Sequence, residues 1–185
     1  MAIADKERLI QLVDERAYRE GDFTLASGRQ STFYFDSKPI VLDGEGARVV
    51  ARLILAGMAE RGLRPVAVGG TELGAVPIAC AVSAHAAEPA PRVFIVRKQP
   101  KQHGTGKVIE GAVGRGDRVV VVEDVITTGE STLKALRAVE AEGAEVLGIF
   151  AVMDREEGHS PEFDAYKDRF FPLLTLSEFR RQRRR

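Results

Sequence analysis

The sequence predicts an α/β protein built on a mostly parallel β-sheet. Short, continuous apolar runs are typical of strands that are buried on both faces. These runs are residues 66–68, 93–96, 119–122 and 146–152. Helix-like stretches at 75–84 and 131–142 alternate with the runs. Strands that alternate with helices favour right-handed βαβ crossovers, with ligands bound at the carboxyl ends of the strands.

The N-terminal part of the chain shows a different pattern. Apolar residues at helical spacing predict a helix over residues 4–19. Two β-prone segments, 23–25 and 32–36, are joined by residues with turn chemistry and predict a hairpin. A second helix is expected over residues 44–61, ending at Gly62.

The composition excludes a disordered or fibrous protein. The 185 residues are 44% hydrophobic, and 27 Lys and Arg balance 27 Asp and Glu. Nothing in this overall charge balance predicts binding to nucleic acid or membrane, although it can hide local separation of charge. No run approaches the roughly 18 apolar residues of a spanning helix. Cys80 is the only cysteine, which excludes an intrachain disulfide and a cysteine-based zinc site. We therefore expect a cytoplasmic protein without a targeting segment.

Residues 119–131, VVVVEDVITTGES, carry the strongest chemical signal. A buried strand delivers Glu123 and Asp124 to its carboxyl end, and a loop rich in hydroxyls and glycine then opens a helix. Such a loop presents backbone N–H groups and the positive end of a helix dipole to a phosphate. Adjacent acids suit sugar hydroxyls or a hydrated Mg²⁺. The alternative is a plain strand-to-helix turn with a Ser or Thr cap, but the length of the specified string favours a phosphosugar site.

This string resembles the phosphoribosyl pyrophosphate (PRPP) fingerprint of the type I phosphoribosyltransferases. The resemblance implies that Glu123 and Asp124 contact the ribose hydroxyls, and that Asp124 helps to hold Mg²⁺ through water. The loop would bind the 5′-phosphate through Thr127, Thr128, Gly129, Glu130 and Ser131. The family fold is a parallel β-sheet core flanked by helices, with a small N-terminal hood that contains a β-hairpin. The corresponding division of this single domain is a hood over 1–42, a core over 43–179 and a basic tail over 180–185.

A basic loop follows the apolar run at 93–96. Residues 97–104 read RKQPKQHG, and proline and glycine argue against a helix there. Such a loop suits a polyanionic leaving group, whose negative charge must be stabilised while water is excluded. The alternative is a solvated basic loop. The string resembles the catalytic loop of orotate phosphoribosyltransferases, which reaches into the neighbouring subunit. That resemblance implies a homodimer and assigns leaving-group contacts to Arg97, Lys98, Lys101 and His103.

Three further segments resemble the same family. The segment 23–36 is similar to its hairpin, and the resemblance places Tyr34 and Phe35 at the orotate pocket. Arg155 corresponds to the arginine that pairs with the orotate carboxylate, a pairing that suits a bidentate guanidinium. Residues 69–74 match the pyrophosphate loop, which contains Thr71 and Glu72. The implied substrates are PRPP and orotate.

The chain also departs from the family pattern. Many members have a lysine where Ala26 stands, and many have a basic residue in the pyrophosphate loop, where Glu72 and Leu73 stand. We interpret this as a subtype of the family. Lys38, just past the hairpin, is either a replacement for the missing charge or a solvated surface lysine.

Two alternative functions stay open from the sequence. A regulator of the same fold would bind PRPP or a nucleotide and contact nucleic acid through the arginines of 180–185, although a frayed, solvated terminus is the default. A purine phosphoribosyltransferase would run the same chemistry on another base. Surface positions are expected for His85 and His159, and no spacing suggests a structural metal site.

Overall fold

A six-stranded sheet forms the centre of the structure, a computed structural model that describes residues 2–24, 30–99 and 107–183. The helices are α1 (Ala2–Leu12), α2 (Lys38–Val41), α3 (Gly44–Glu60), α4 (Ala75–His85), α5 (Glu130–Ala141), α6 (Pro161–Asp164) and α7 (Leu176–Arg183). The strands are β1 (Tyr18–Thr24), β2 (Gln30–Phe35), β3 (Ala67–Thr71), β4 (Arg92–Val96), β5 (Ile109–Glu110), β6 (Arg118–Ile126), β7 (Glu145–Asp154) and β8 (Phe170–Thr175).

The order of the central sheet is β5-β4-β3-β6-β7-β8, and only β5 runs antiparallel to its neighbour. The chain passes from β3 to β4 on one side and later returns to β6 on the other side of β3. This reversal places a topological switch point between β3 and β6, where open α/β sheets bind ligands at the carboxyl ends of the strands. The predicted fold class, an α/β protein with a mostly parallel sheet core flanked by helices and a separate N-terminal hairpin, is confirmed.

The apolar runs are continuous because helices cover both faces of the sheet. Along β6, Val120 and Val122 pack into the core beneath α3 and α4. The alternate residues Val119 and Val121 pack into a second core beneath α5. Successive side chains of a strand point to opposite faces, so a strand covered on both sides needs apolar residues at every position.

The N-terminal helix is shorter than the expected 4–19. It ends at Leu12, a π-helical turn spans Val13–Ala17, and β1 begins at Tyr18. Tyr18 pairs with Phe35 in the hairpin and is 2% exposed. Burial in the hairpin therefore overrides the helical spacing at residues 18 and 19.

Two further differences concern the ends of elements. The strand that carries the acids runs to Ile126. Glu123 and Asp124 therefore lie within the part of β6 that pairs with β7, and not beyond its end. The expectation of a frayed terminus from residue 180 is wrong for the residues that the structure describes there. Helix α7 extends to Arg183, because Leu176 and Phe179 are buried and anchor it.

Across the described ranges, none of the helices combines the length and the apolar character needed to cross a membrane.

Candidate active site

A cavity of about 240 Å³ lies at the switch point between β3 and β6. Its walls come from the ends of β3 and β6, the start of α5, and residues that follow β2 and β4. They are Lys38, Thr71, Glu72, Leu73, Gly74, Lys98, Glu123, Asp124, Val125 and Ser131. The fold thus brings together Lys38, Thr71, Glu72, Lys98, both acids and Ser131, all of which the sequence singled out. A larger cavity, about 410 Å³ between α1, α3 and β8, contains none of the fingerprint residues.

Asp124 is held at the cavity by short hydrogen bonds. Ser37 Oγ donates to its Oδ2 at 2.5 Å, and the backbone N–H of Val125 donates to its Oδ1 at 2.9 Å. A Cβ at Gly74 would lie 2.3 Å from the carboxyl carbon, so only glycine allows the carboxylate this close to the start of α4. These two donors fix the direction of the carboxylate, so Asp124 is an oriented acceptor at the cavity. Sequence reasoning missed Ser37, since nothing local marks its contact.

Glu123 has the opposite environment, although it is the adjacent residue. It is 5% exposed and accepts hydrogen bonds from Ser131 Oγ at 3.2 Å and Thr132 Oγ1 at 3.5 Å. Burial, and after it the negative charge of Asp124, raise the pKa of Glu123 to about 8. At neutral pH Glu123 is therefore mostly protonated, and its hydrogen bonds tie β6 to the first turn of α5.

The loop after β6 turns sharply into α5. Gly129 has φ +85°, and a Cβ there would lie 2.4 Å from the ring of Phe163. Thr127 and Thr128 are half-buried, whereas Glu130 and Ser131 are exposed at the start of the helix. The Thr128 carbonyl accepts a hydrogen bond from the Ser160 N–H at 2.9 Å. The first N–H groups of a helix have no partner within the helix, and those of α5 directly follow the hydroxyls of Thr127 and Thr128 along the chain, an arrangement that suits a phosphate.

The loop after β3 is tied to the neighbouring strands. The buried Thr71 donates through Oγ1 to the Ser131 carbonyl at 3.0 Å, which links the two loops across the cavity. Glu72 Oε1 accepts a hydrogen bond from the Lys98 N–H at 2.9 Å. Glu72 therefore holds the start of the basic loop against the cavity, and it does not provide the positive charge that a basic residue at this position would offer a phosphate.

The structure describes only the beginning of the basic loop. Arg97 forms an ion pair with Glu110 at 3.5 Å, and its Nε is buried without a hydrogen-bond partner among the described residues. Lys98 lines the cavity. Lys101 and His103 lie outside the described residues, as does Ala26, so their assignments stay predictions.

Arg155 follows β7 and lies against the hairpin. Its side chain is 11% exposed, pairs with Glu157 at 2.5 Å, and has its guanidinium carbon 4.8 Å from the centroid of the Phe33 ring. Tyr34 is 43% exposed and Phe35 is 7% exposed, because neighbours on a strand face opposite sides. Phe33, on the same face as Phe35, was missed. The period-two alternation of β2 is the signal that identifies it.

Lys38 lies at the cavity, but its ammonium group is paired with the carboxylate of Asp36. Its Nζ is 2.6 Å from Asp36 Oδ1, and this hydrogen bond raises the pKa of Lys38. With 56% of its side chain exposed, Lys38 combines the two interpretations of the sequence, since it is solvated and also lines the site.

The two histidines outside the basic loop differ. His85 is exposed, as expected. The expectation for His159 is wrong, because its side chain is 20% exposed, lies 3.2 Å from Asp154 Oδ1 and packs edge-on against Phe163 and Phe170. It supports the wall behind Gly129.

The cavity offers few oxygen ligands for Mg²⁺. Within the described ranges, no group of three or more His, Cys, Asp or Glu side chains is placed to hold a metal ion. Asp124 is one oriented carboxylate, and Mg²⁺ usually combines one or two carboxylates with water and substrate phosphates. These residues fit a hydrated Mg²⁺ that arrives with a phosphorylated substrate.

Comparisons with known proteins agree with this geometry. Residues 40–172 match the family described as "Phosphoribosyl transferase domain". A curated orotate phosphoribosyltransferase of Pyrococcus horikoshii is 44% identical over 174 residues, which cover 94% of this chain and 92% of the relative. The chain therefore belongs to the phosphoribosyltransferase family.

Solved structures extend the likeness to the whole fold. Mycobacterium tuberculosis orotate phosphoribosyltransferase in complex with Fe(III) dicitrate has a TM-score of 0.82 and 36% identity, covering 95% of this chain and 98% of that one. The enzyme of the same bacterium in complex with PRPP has a TM-score of 0.78 and 34% identity, with the same coverage.

Proposed function

We propose that this protein is an orotate phosphoribosyltransferase of pyrimidine biosynthesis. It transfers the phosphoribosyl group of PRPP to orotate and releases orotidine 5′-monophosphate and pyrophosphate. One observation carries the proposal: the fingerprint acids and loop meet at the switch point of a chain whose curated relatives, 44% identical over 94% of its length, are orotate phosphoribosyltransferases. The single cysteine is consistent with a reducing, cytoplasmic site of action.

The ribose and its 5′-phosphate bind along β6 and the start of α5. Asp124 accepts hydrogen bonds from the ribose hydroxyls and stabilises the positive charge that develops on the ribose as pyrophosphate leaves. Glu123, neutral at pH 7, keeps the start of α5 in place. The hydroxyls of Thr127 and Thr128, with the backbone N–H groups around Gly129, Glu130 and Ser131, hold the 5′-phosphate.

The pyrophosphate end lies toward the loops after β3 and β4. Backbone groups near Thr71 and Glu72, together with Arg97, Lys98, Lys101 and His103, bind the leaving group and neutralise its charge. Mg²⁺, held by PRPP and through water by Asp124, would supply further neutralisation of the pyrophosphate.

Orotate is placed by the hairpin side of the site. The Arg155 guanidinium pairs with the carboxylate of orotate. The Nε of Arg155 is buried and has no hydrogen-bond partner among the described residues, which supports this role. The resemblance assigned Tyr34 and Phe35 to this pocket. Phe35 lies on the same face of β2 as Phe33, whose ring contacts Arg155, whereas Tyr34 faces the opposite side, so we assign the pocket to Phe33 and Phe35.

Helix α4 supports a homodimer. Its sequence AVPIACAVSAH contains no Asp, Glu, Lys or Arg, yet Cys80 and Ala84 are exposed, and Leu73 just before it is 63% exposed. A helix that is apolar all round is normally covered. Leu73 also lines the cavity, so a second copy packed on α4 would bring its basic loop toward this site.

The decisive experiment measures PRPP consumption with orotate, adenine, hypoxanthine and xanthine in parallel. We expect pyrophosphate and orotidine 5′-monophosphate with orotate alone. Turnover with a purine and none with orotate would reassign the enzyme to purine transfer, and no turnover with any base would leave the regulatory alternative. That alternative has less support, because Arg180 and Arg183 contact the hairpin and are not free for nucleic acid.

The shared loop gives a first prediction. Lys101→Ala is expected to lower turnover at least about a hundredfold without changing thermal stability, because it removes charge only at the leaving group. An inactive Asp124→Asn variant has an intact loop. Mixing the two inactive proteins and allowing exchange should restore about a quarter of wild-type activity, since half the dimers are mixed and each has one complete site.

If Lys101→Ala turns over at the wild-type rate, the basic loop does not take part in catalysis through Lys101. An inactive mixture, with exchange verified by mass, would show that each loop serves its own subunit.

A further inference from the structure

The guanidinium of Arg155 is not held by hydrogen bonds alone. Its backbone N–H donates to the Ile126 carbonyl at 2.9 Å, and its side chain pairs with Glu157. Its Nε has no hydrogen-bond partner among the described residues. The Phe33 ring, 4.8 Å from the guanidinium carbon, is therefore a main support for the plane of this group.

Phe33 is supported in turn by the C-terminal helix. The guanidinium carbon of Arg180 also lies 4.8 Å from the centroid of the Phe33 ring. Arg180 Nε donates to the hydroxyl of Tyr18 at 3.2 Å, and the Tyr18 ring stacks on Phe33 with centroids 5.7 Å apart. One side chain of α7 thus contacts both aromatic residues at the base of the hairpin.

Helix α7 is fixed firmly enough to act as a support. Phe179 is fully buried, and its ring packs edge-on against Tyr18 at 4.9 Å. Arg183 pairs with Asp14 at 2.6 Å and with Glu20 at 2.7 Å. These contacts hold the helix on both the π-helical turn and β1, so Arg180 has a defined place beside Phe33.

The arrangement also concentrates positive charge near the base site. Both guanidinium carbons lie against one ring, so they are less than about 10 Å apart, a separation comparable to the Debye length of about 8 Å at physiological salt. Such a pair favours a base that carries a carboxylate over a neutral base.

We propose that Arg180 is a positioning residue for the base site: through Phe33 it fixes the guanidinium of Arg155, and α7 thereby becomes part of the site that binds a carboxylate-bearing base. The proposal rests on the proposed function and deepens it. Arg180 touches no substrate and acts on binding through two intermediates, Phe33 and Arg155.

The test is a set of steady-state measurements on R180A, R180K, F33L and the double variant F33L/R180A. R180A is expected to raise KM for orotate about three- to tenfold, the range of a cation–π contact, with KM for PRPP changed less than about twofold. R180K should recover part of the loss because it keeps the charge over the ring. The double variant should be no worse than the weaker-binding single variant, since both changes break one chain of contacts. Arg181 is an exposed arginine on the same helix, so R181A is the matched control and should behave as wild type.

Several results overturn the proposal. These are an unchanged KM for orotate in R180A, an equal rise of both KM values, or effects of F33L and R180A that multiply. If R180A does not fold, R180Q keeps a planar side chain that donates to Tyr18, and its KM is interpreted by the same criteria. A wild-type protein that does not consume PRPP with orotate would overturn the proposed function and this inference together. An active wild type matched by R180A would overturn the inference alone.

Discussion

Two adjacent acids have different environments in this site. Glu123 is buried beneath the first turn of α5, whereas Asp124 accepts hydrogen bonds from Ser37 and Val125 at the cavity. Two carboxylates at this spacing are not both ionised at low cost when one is desolvated. One acid thus lies oriented at the cavity, and the other holds the start of α5 through Ser131 and Thr132.

This division gives a prediction on stability and pH. Below pH 4.5, the ordinary pKa of Glu123, the folded and unfolded chains both carry its proton. Between 4.5 and about 8 the unfolded chain loses the proton while the folded protein keeps it, so the folded state becomes less stable as pH rises. Glu123→Gln removes this dependence. The Tm of Glu123→Gln minus that of wild type should therefore rise across this window by at least about 2 °C and then level off.

The measurement is thermal unfolding followed by circular dichroism at a series of pH values. Glu7→Gln, the same substitution at an exposed position on α1, is the control. A Tm difference for Glu123→Gln that is independent of pH, or that falls as pH rises, would show that Glu123 is ionised in the folded protein.

At the scale of elements, the glycine turn between β6 and α5 determines where the loop of residues 127–131 lies. Gly129 adopts φ +85° with Phe163 directly beside its Cα, and Phe163 packs in turn on His159 and Phe170. A side chain at this point is excluded by backbone conformation and by space. The loop is thus fitted to α6 and β8, which follow it by more than thirty residues along the chain.

Gly129→Ala is therefore expected to destabilise the protein by about 2–4 kcal/mol, the sum of backbone strain and overpacking. Gly62→Ala is the matched control, because Gly62 also has positive φ, +63°, but nothing lies within 4 Å of its Cβ position. It should cost only about 1 kcal/mol. Urea unfolding of both variants separates the two contributions, and equal losses would show that Phe163 moves aside without cost.

At the scale of the whole molecule, the uncharged α4 gives a prediction on assembly. Cys80→Asp places a charge on its exposed face and is expected to convert a dimer to monomers at micromolar concentration, with loss of most activity. Ala87→Asp adds the same charge at an exposed position beyond the helix and is the control. Sedimentation equilibrium checks both. An unchanged mass for Cys80→Asp would show that α4 does not form the dimer interface. An active wild-type monomer would show that the basic loop does not need to act in a neighbouring subunit.

Local signals made the core of the fold predictable from sequence. Continuous apolar runs identified β3, β4, β6 and β7, because a strand covered on both faces needs apolar residues at every position. Strand β8 was missed, since its six residues FFPLLT contain a proline and adjoin no recognisable turn. The two-residue β5 is too short for any periodicity.

The sequence by itself determined the fingerprint, the family and the order of the site segments, because these are contiguous strings whose residue types state their chemistry. Only the tertiary structure decided which acid is buried, which hairpin aromatic contacts Arg155, and that the last helix packs against the hairpin. Those outcomes depend on contacts between distant residues, such as Ser37 with Asp124, 87 positions apart, and Tyr18 with Arg180, 162 positions apart. Burial and hydrogen bonding at such separations follow from packing, and no local pattern encodes them.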